Sequence, residues 1–165
     1  MIEQINQNDR SKLLAIQEIA EKTWPVAYGS ILKKEQLDYM LNRFYSFSSL
    51  VESMDVGHHY FIYLEDDVPL GFISIEFIES QKSMKIHKLY VLPNQQGNGI
   101  GEKLFQKAVE LIKDKGFSRL FLNVNRFNAA LQFYLRMGMK IQKEENIDIG
   151  QGYLMEDYVM EKFFD

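Results

Sequence analysis

Leu89-Tyr90-Val91-Leu92-Pro93-Asn94-Gln95-Gln96-Gly97-Asn98-Gly99-Ile100-Gly101 is the most informative stretch of this 165-residue chain. An apolar segment leads into a loop in which glycines alternate at positions 97, 99 and 101, and an amphipathic run follows. Glycine lets a backbone approach a ligand closely, and a helix N-terminus presents free N–H groups and the positive end of its dipole. The stretch therefore predicts a strand, a loop that binds an anion such as a pyrophosphate, and a helix. A plain glycine-rich turn is the alternative.

Upstream of this stretch the pattern predicts an antiparallel meander. Polar turns separate three apolar segments that read as strands, at residues 60–64, 69–77 and 84–92. In the third of these, Met84 and Ile86 share one parity, whereas Leu89 and Val91 share the other. A β-bulge near Lys88 would explain the change, because one extra residue reverses the alternation.

The N-terminal third is predicted to be mainly helical, after a possible short strand at Ile2–Ile5. Asn8 or Asp9 can cap a helix that begins near Arg10, and Pro25 is expected to stop it. An amphipathic stripe after residue 30 predicts a second helix. Residues 46–56 fit either a helix or a loop.

The C-terminal part continues the alternation of strands and helices. The helix after the glycine loop is predicted to end near Gly116, and a strand follows at Arg119–Val124. Asn128 can cap a short helix, Ala129–Met137. Two closing strands are predicted, at residues 139–149 and 153–163. The whole pattern indicates one mixed α/β domain over residues 1–165.

Composition excludes several classes of protein. A net charge of −4 and a pI near 5.5 argue against a nucleic-acid binder. The absence of cysteine excludes disulfides, thiolate metal sites and catalysis through a thiol. The polar first residues and the lack of a long apolar run predict a cytoplasmic protein without a membrane partner. The three histidines lack metalloprotease spacing and no Gly-x-Ser-x-Gly occurs, so no metal and no hydrolase is expected.

The common nucleotide loops do not match the glycine stretch. A dinucleotide fingerprint needs a third glycine at position 102, which is Glu102, and an acidic residue about twenty positions later. A P-loop needs Gly-Lys-Ser/Thr, which is absent.

Gln96–Gly101 instead resembles the Gln/Arg-x-x-Gly-x-Gly/Ala signature of the GNAT (Gcn5-related N-acetyltransferase) superfamily. Residues 89–93, Asn128-Ala129-Ala130, Phe133-Tyr134 and Gly138-Met139 are similar to that family too, and the similarity runs from about Tyr60 to Lys162. The resemblance implies a central, mostly antiparallel twisted sheet of six or seven strands with about four flanking helices. Strands four and five would splay at the bulge to form a cleft for coenzyme A (CoA).

The resemblance also assigns the cofactor site, with acetyl-CoA as the acetyl donor. The backbone around Tyr90 would bind the pantetheine arm, through Leu89 and Val91. Asn128 and Tyr134 would contact the cofactor, and Asn128 would also cap a helix. The pyrophosphate would be held by N–H groups of Gln96, Gly97, Asn98, Gly99, Ile100 and Gly101.

Tyr134 matches the tyrosine that the family commonly uses as a general acid, which would protonate the departing CoA thiolate. The alternative is an aromatic side chain that packs in the core. Many relatives, including spermidine/spermine acetyltransferases, carry glutamate at the position of His87. A histidine can also act as a base at neutral pH, or it can be a hydrogen-bonded strand residue. Glu76 on the adjacent strand is the rival candidate for the base.

The acceptor pocket of the family is built from the first two helices and the last strands. Here that implies Trp24, Tyr28 and Glu76, with carboxylates near the C-terminus at positions 148, 156 and 157. Each aromatic residue can equally be part of a helix core. The general pattern is similar to bacterial polyamine-type and peptide-type members, and the acceptor stays open between a polyamine, another small amine and a peptide amine.

Without a thiol to carry the acetyl group, direct attack in a ternary complex is favoured. A CoA-binding sensor or scaffold without turnover is the alternative, since it would keep the loop but would not need Tyr134. Dimers are common in the superfamily, so a homodimer is expected.

Overall fold

The computed structural model describes residues 1–165 and contains one seven-stranded sheet. In chain order the strands are β1 (Ile2–Gln4), β2 (His58–Glu65), β3 (Val68–Ile78), β4 (Ser83–Val91), β5 (Arg119–Asn125), β6 (Lys140–Asp148) and β7 (Leu154–Phe163). Across the sheet they lie in the order β1-β2-β3-β4-β5-β7-β6. All neighbouring pairs are antiparallel except β4 and β5, which are parallel. This arrangement confirms the predicted mixed α/β fold with a mostly antiparallel sheet.

The helices number five rather than about four. They are α1 (Arg10–Tyr28), α2 (Lys34–Tyr45), α3 (Phe47–Asp55), α4 (Ile100–Lys115) and α5 (Ala130–Arg136). The additional helix is α3, in the segment that the sequence left open between helix and loop. Ser46 separates it from α2, because its backbone is extended and its hydroxyl accepts the N–H of Ser49. That bond caps the first turn of α3.

Pro25 does not stop α1, so that prediction is wrong. The helix runs through Pro25 and ends one turn later, where the Gly29 N–H donates to the Pro25 carbonyl. Proline removes one backbone hydrogen bond from a helix interior. Trp24 and Tyr28 on the same helix are only 4% and 7% exposed. Their burial stabilises the final turn despite the lost bond.

The predicted β-bulge in β4 is present. Ser74 of β3 pairs with Lys88, whereas the next residue, Ile75, pairs with Ile86, so His87 has no partner in the ladder. The extra residue keeps Ile86 and Leu89 on the same face of the sheet, and both pack with the core under α4. The parity change in the sequence is therefore explained by the bulge.

Beyond the bulge, β4 and β5 separate. Their parallel pairing runs from Ser83 with Arg119 to Ile86 with Leu122 and then stops, although both strands continue. The final backbone groups of β4 on this side are thus not used by the sheet. The separation produces the splayed strand pair that the resemblance implies.

The two faces of the sheet carry separate cores. One core packs α4 and α5 against one face, and the other packs α1, α2 and α3 against the opposite face. Phe72 and Tyr90 point toward the three N-terminal helices, whereas Ile73 and Val91, one residue further along each strand, point toward α4. No helix combines the length and the apolar character that a membrane crossing requires.

Candidate functional site

The glycine loop connects β4 to α4 and adopts backbone conformations that require glycine. Gly97 and Gly99 have φ values of 89° and 80°, which lie in the left-handed region. Gly101 lies in the first turn of α4, where a Cβ atom would be 3.4 Å from the ring of Phe133. Absence of side chains at these positions leaves the backbone of the loop open to a ligand.

The amides of this loop are free to bind an anion. None of the N–H groups from Gly97 to Glu102 donates a hydrogen bond to another backbone group, while Gln95 and Gln96 donate to the preceding turn. The side chain of Gln96 donates to the Val91 carbonyl at 3.2 Å, which ties the loop to the end of β4. Consecutive free amides at a helix N-terminus fit the pyrophosphate of CoA.

A cleft opens where β4 and β5 separate. Its wall includes Leu89 and Tyr90 from β4, Asn123 from β5 and, beyond β5, Asn128 and Tyr134. These include four of the residues predicted to contact the cofactor. The structure thus brings the free edge of β4 and Tyr134 together in one cleft, whereas the residues of the glycine loop lie outside its lining.

Asn128 and Tyr134 are held in place from the loop after β5. The Asn128 Oδ1 accepts the N–H of Ala130 at 2.9 Å, so α5 begins one residue later than predicted. Its Nδ2 donates to the hydroxyl of Tyr28 at 3.0 Å. Tyr134 is 7% exposed, and its burial raises the pKa of its hydroxyl, with a smaller contribution from Tyr28. Tyr134 therefore keeps its proton at neutral pH, as a proton donor must.

A second cavity of about 400 Å³ lies on the other face of the sheet, under α1, α2 and α3. Its aromatic wall includes Trp24, Tyr28 and Tyr45. The ring of Trp24 lies 4.7 Å from that of Tyr28 and 5.6 Å from that of Tyr45, centre to centre. The two aromatic residues predicted for the acceptor pocket, Trp24 and Tyr28, both line this cavity, and they also belong to the helix core.

Three polar side chains converge beside this cavity at the bulge. The Nε2 atom of His87 is 2.9 Å from Oε1 of Glu76, and Nε2 of His58 is 3.7 Å from the same oxygen. The two imidazole rings are stacked, with centroids 3.9 Å apart and an angle of 15° between planes. His87 and His58 line the cavity, whereas Glu76, which was also predicted for the acceptor pocket, is not part of its lining. The two rival base candidates of the sequence are thus hydrogen-bonded partners.

Both imidazoles of this cluster are neutral at neutral pH. Burial lowers the pKa of His87 to about 3, and the positive charges of Lys85 and Lys88 add to the effect. Burial and repulsion from His87 lower the pKa of His58 to about 4. A neutral His87 can donate Nε2–H to the Glu76 carboxylate and keep Nδ1 as a hydrogen-bond acceptor.

The cluster is compact enough to suggest a metal site, since its ligand atoms all lie within 4.8 Å of one another. A histidine nitrogen binds a metal along its lone pair, in the plane of the ring. The two stacked rings are inclined by only 15°, so their planes meet too far from either ring for one ion to lie in both planes at bonding distance. Lys85 and Lys88, which line the same cavity, also repel a cation. The arrangement suits a hydrogen-bonded network better than one ion held by both histidines.

The charge of the cavity differs from the expectation of a carboxylate-lined pocket. Of the three C-terminal carboxylates, only Asp157 lines it, and this side chain is 1% exposed. Its burial raises the pKa of the Asp157 carboxyl. Three cations, Arg43, Lys85 and Lys88, line the same cavity. The alternation of β4 gave no signal that Lys85 and Lys88 share a face, because this depends on the bulge.

The cleft and the cavity meet at the bulge of β4. Residues that line both are Tyr28, Ile86, His87, Lys88, Tyr90 and Asn123. The thioester of acetyl-CoA in the cleft and an amine in the cavity would therefore face each other at the bulge. This is the geometry of a two-substrate transfer site.

Comparison with known proteins agrees with this geometry. The model of the Acetyltransferase (GNAT) family matches residues 13–139 of the chain. The chain belongs to the GNAT family. It is an acetyl-CoA-dependent N-acetyltransferase, as its named relatives are acetyltransferases. These comparisons favour an enzyme over a CoA-binding sensor or scaffold without turnover.

Individual GNAT relatives share the fold at low sequence identity. The chain is 23% identical to a spermidine N(1)-acetyltransferase of Thermoplasma acidophilum over 154 residues, which cover 90% of this chain and 89% of the relative. It is 30% identical to a streptothricin acetyltransferase of Streptomyces lavendulae, over 53% of this chain and 47% of the relative. The crystal structure of the PaiA N-acetyltransferase of Thermoplasma acidophilum with coenzyme A superposes with a TM-score of 0.81, at 24% identity and 99% coverage of both chains.

Proposed function

We propose that residues 1–165 form one N-acetyltransferase domain that transfers acetyl from acetyl-CoA to a primary amine by direct attack in a ternary complex. The observation that carries this proposal is the meeting of the cleft and the cavity at His87 and Lys88. Holding both reactants at one junction replaces a bimolecular encounter and supplies much of the rate gain. The absence of cysteine supports transfer without a thiol-bound intermediate.

In this proposal the cofactor is bound mainly by backbone groups. The free amides of Gly97 to Glu102 would bind the pyrophosphate, and the free edge of β4 at Leu89 and Val91 would bind the pantetheine arm. Neither contact depends on a charged side chain. Binding is therefore expected to survive changes to side chains at the junction, which makes binding and turnover separable by experiment.

Tyr134 is proposed as the general acid. It lines the cleft, and the raised pKa of its hydroxyl keeps the proton available. Expulsion of a thiolate needs a proton donor within reach, and a positioned acid contributes about 10²–10⁴-fold to the rate. The departing sulfur would receive the proton from Tyr134.

His87 and Glu76 are proposed to remove the proton from the attacking amine. The neutral imidazole would accept it at Nδ1, while Glu76, 2.9 Å from Nε2, stabilises the imidazolium that forms. Burial lowers the pKa of His87 to about 3 even beside Glu76, so the imidazole is a weak base and needs the carboxylate to stabilise the charge that it gains. In this arrangement the two candidates act together, with His87 in contact with the substrate.

The test compares Tyr134→Phe, His87→Gln and Glu76→Gln with the unmodified protein on a panel of amines, with released CoA as the readout. We expect kcat to fall about 10²–10⁴-fold for Tyr134→Phe while the calorimetric Kd for CoA changes little. Tyr63→Phe removes the same group from β2, outside the cleft and the acceptor cavity, and should keep full activity. Unchanged turnover in Tyr134→Phe would remove this residue from the mechanism.

Two features remain predictions from the sequence. The acetyltransferase is expected in the cytoplasm, and it is expected to form a homodimer through its C-terminal strands. The edge strand β6, Lys140–Asp148, is available for such pairing because only β7 borders it. Light scattering at several concentrations would test the dimer, and a monomer at all of them would exclude it.

A further inference from the structure

We propose that the acceptor is a primary amine that also carries a carboxylate, an amino-acid-type substrate, rather than a polyamine. This inference rests on the proposed function and narrows the substrate class of the same site. It is derived from the charges that face the acceptor cavity and from the partners those charges lack.

Three cations line the cavity, and none of them lies within salt-bridge distance of a carboxylate, although Lys85 is paired with Glu76 across the strands. Arg43, Lys85 and Lys88 form no salt bridge, although other lysines and arginines of the chain do. The Nζ of Lys88 donates to the Tyr60 hydroxyl at 2.7 Å and to the Phe44 carbonyl at 3.3 Å, which are both uncharged. An ammonium has three donors, so one N–H of Lys88 stays available.

The negative charge in the cavity is too small to balance these three cations. Asp157 is the only carboxylate in its lining, and burial disfavours the charged form of that side chain. Glu76 lies behind the histidines and is engaged by them. A polyamine would bring further positive charges into a site that already has an excess, and like charges in contact weaken binding. A carboxylate would instead supply the missing partner.

The three cations lie on the opposite face of the sheet from the helix that follows the glycine loop. Lys88 is bound to the end of α2 and to β2, on the face of the sheet opposite α4, whereas the glycine loop leads into α4. Lys85 lies in a row across the sheet with Glu76 and His58, also on the face of the N-terminal helices. The loop amides would bind the phosphates of CoA, so these cations remain available to bind the acceptor.

The same charges help the chemistry at the junction. The amine must lose its proton before it can attack, and neighbouring positive charges disfavour the ammonium form. An amine held only by carboxylates would be stabilised in the unreactive form. Anchoring through the carboxylate therefore binds the substrate, while the neighbouring cations still lower the pKa of its amine. The apolar wall of Trp24 and Tyr45 suits an apolar side chain on such a substrate.

The activity test uses matched acceptors that differ only in charge. L-leucine, L-methionine, L-phenylalanine and L-tryptophan are each compared with the corresponding amino-acid amide, and spermidine represents polyamines. We expect kcat/KM to be about 10- to 100-fold higher for the best acid than for its amide, from loss of a hydrogen bond to a charged group. The amide has the less basic amine, so amine reactivity alone would favour the amide and cannot produce this preference.

The variants identify the anchoring cations. Lys85→Gln, Arg43→Gln and their combination should reduce the acid-to-amide ratio about tenfold or more. Lys113→Gln, on the exposed side of α4, changes net charge equally and should leave the ratio unchanged. Arg43 is exposed, so its variant is expected to fold even if a strand variant does not.

A binding test separates this inference from the proposed function. Trp24, the only tryptophan, lines the cavity, so its fluorescence reports an occupant. With CoA present, 3-phenylpropanoate should bind at least about tenfold more tightly than 3-phenylpropylamine, and Lys85→Gln should abolish the difference. Tighter binding of the amine, or faster acetylation of spermidine than of every acid, would overturn the carboxylate inference and leave the acetyltransferase intact. Turnover of no amine, with 3-phenylpropanoate still bound, would count against the proposed reaction alone.

Discussion

Acidification should destabilise this protein through His58 and His87 before most carboxylates titrate. Burial lowers the pKa of both imidazoles, to about 4 for His58 and about 3 for His87, from an ordinary value of 6.5. The unfolded chain takes up protons near pH 6.5, whereas the folded protein does not. The stabilisation is therefore complete above pH 6.5 and is lost progressively as the pH falls towards 4.

The size of this loss of stability follows from the difference between the pKa of an imidazole in the unfolded chain and its pKa in the folded protein. Each pH unit below 6.5 costs about 1.36 kcal/mol for a group that is protonated only in the unfolded state. At pH 5 this amounts to about 2 kcal/mol for each histidine, or about 4 kcal/mol for the pair. Attraction between Glu76 and a protonated ring opposes the loss, so about 4 kcal/mol is the upper value. That is a large part of the stability of a typical domain.

Urea unfolding at pH 5 and pH 8, followed by the fluorescence of Trp24, measures this loss. The variant His87→Gln should lose about 2 kcal/mol less than the unmodified protein over that interval. His59→Gln is the matched control, because His59 lies next to Phe77 and outside the cluster. The three imidazoles can also be followed individually by NMR, assigned through the variants.

Two results would refute the reasoning. The first is a free energy of unfolding that falls equally in His87→Gln and in the unmodified protein. The second is an imidazole resonance of His58 or His87 that titrates above pH 6. Either would mean that attraction to Glu76 offsets the effect of burial on the imidazole pKa, so that the folded protein takes up protons as readily as the unfolded chain.

Three further predictions concern the frame of the site. Gly71→Ala should lower stability by about 1–3 kcal/mol in thermal unfolding, because its Cβ would lie 2.9 Å from the Tyr90 carbonyl oxygen. Asn128→Ala should cost about 1–3 kcal/mol in the same assay, since it removes the 3.0 Å bond to Tyr28; a smaller loss would make that bond dispensable. Gly99→Ala strains a left-handed residue by about 1–2 kcal/mol, so calorimetry should show CoA affinity reduced about tenfold, and unchanged affinity would contradict the role of the loop.

The cofactor half of the site could be predicted because its signals are local. The glycines at 97 and 99 permit the left-handed backbone that the loop adopts, at no steric cost. The parity change between Ile86 and Leu89 records the bulge directly, since both side chains pack in one core. The break between α2 and α3, by contrast, could not be predicted. Ser46 ends one helix and begins the next, but the apolar periodicity of that segment continues across it.

The acceptor half could not be predicted because it depends on register between distant strands. Extending the β2–β3 hairpin from its turn, where Glu65 pairs with Val68, would place His58 opposite Ile75. A shift in register between Tyr63 and Leu64 moves His58 opposite Glu76 instead. A one-residue shift exchanges the faces of a strand, so the cluster exists only because of an irregularity that the alternation of β2 does not reveal.

The bulge at His87 connects the two halves of the site. In a regular strand Lys85 and His87 would share a face and Lys88 would lie on the other. The extra residue places Lys88 with Lys85 on the acceptor side, keeps Ile86 and Leu89 in the opposite core, and leaves His87 facing Glu76. The same irregularity lies where β4 stops pairing with β5, which leaves backbone groups of β4 available to the pantetheine arm that we propose binds there. One inserted residue thus opens the donor cleft and also gathers the charges that we propose select the acceptor, so the two substrates meet at the position where the sheet is interrupted.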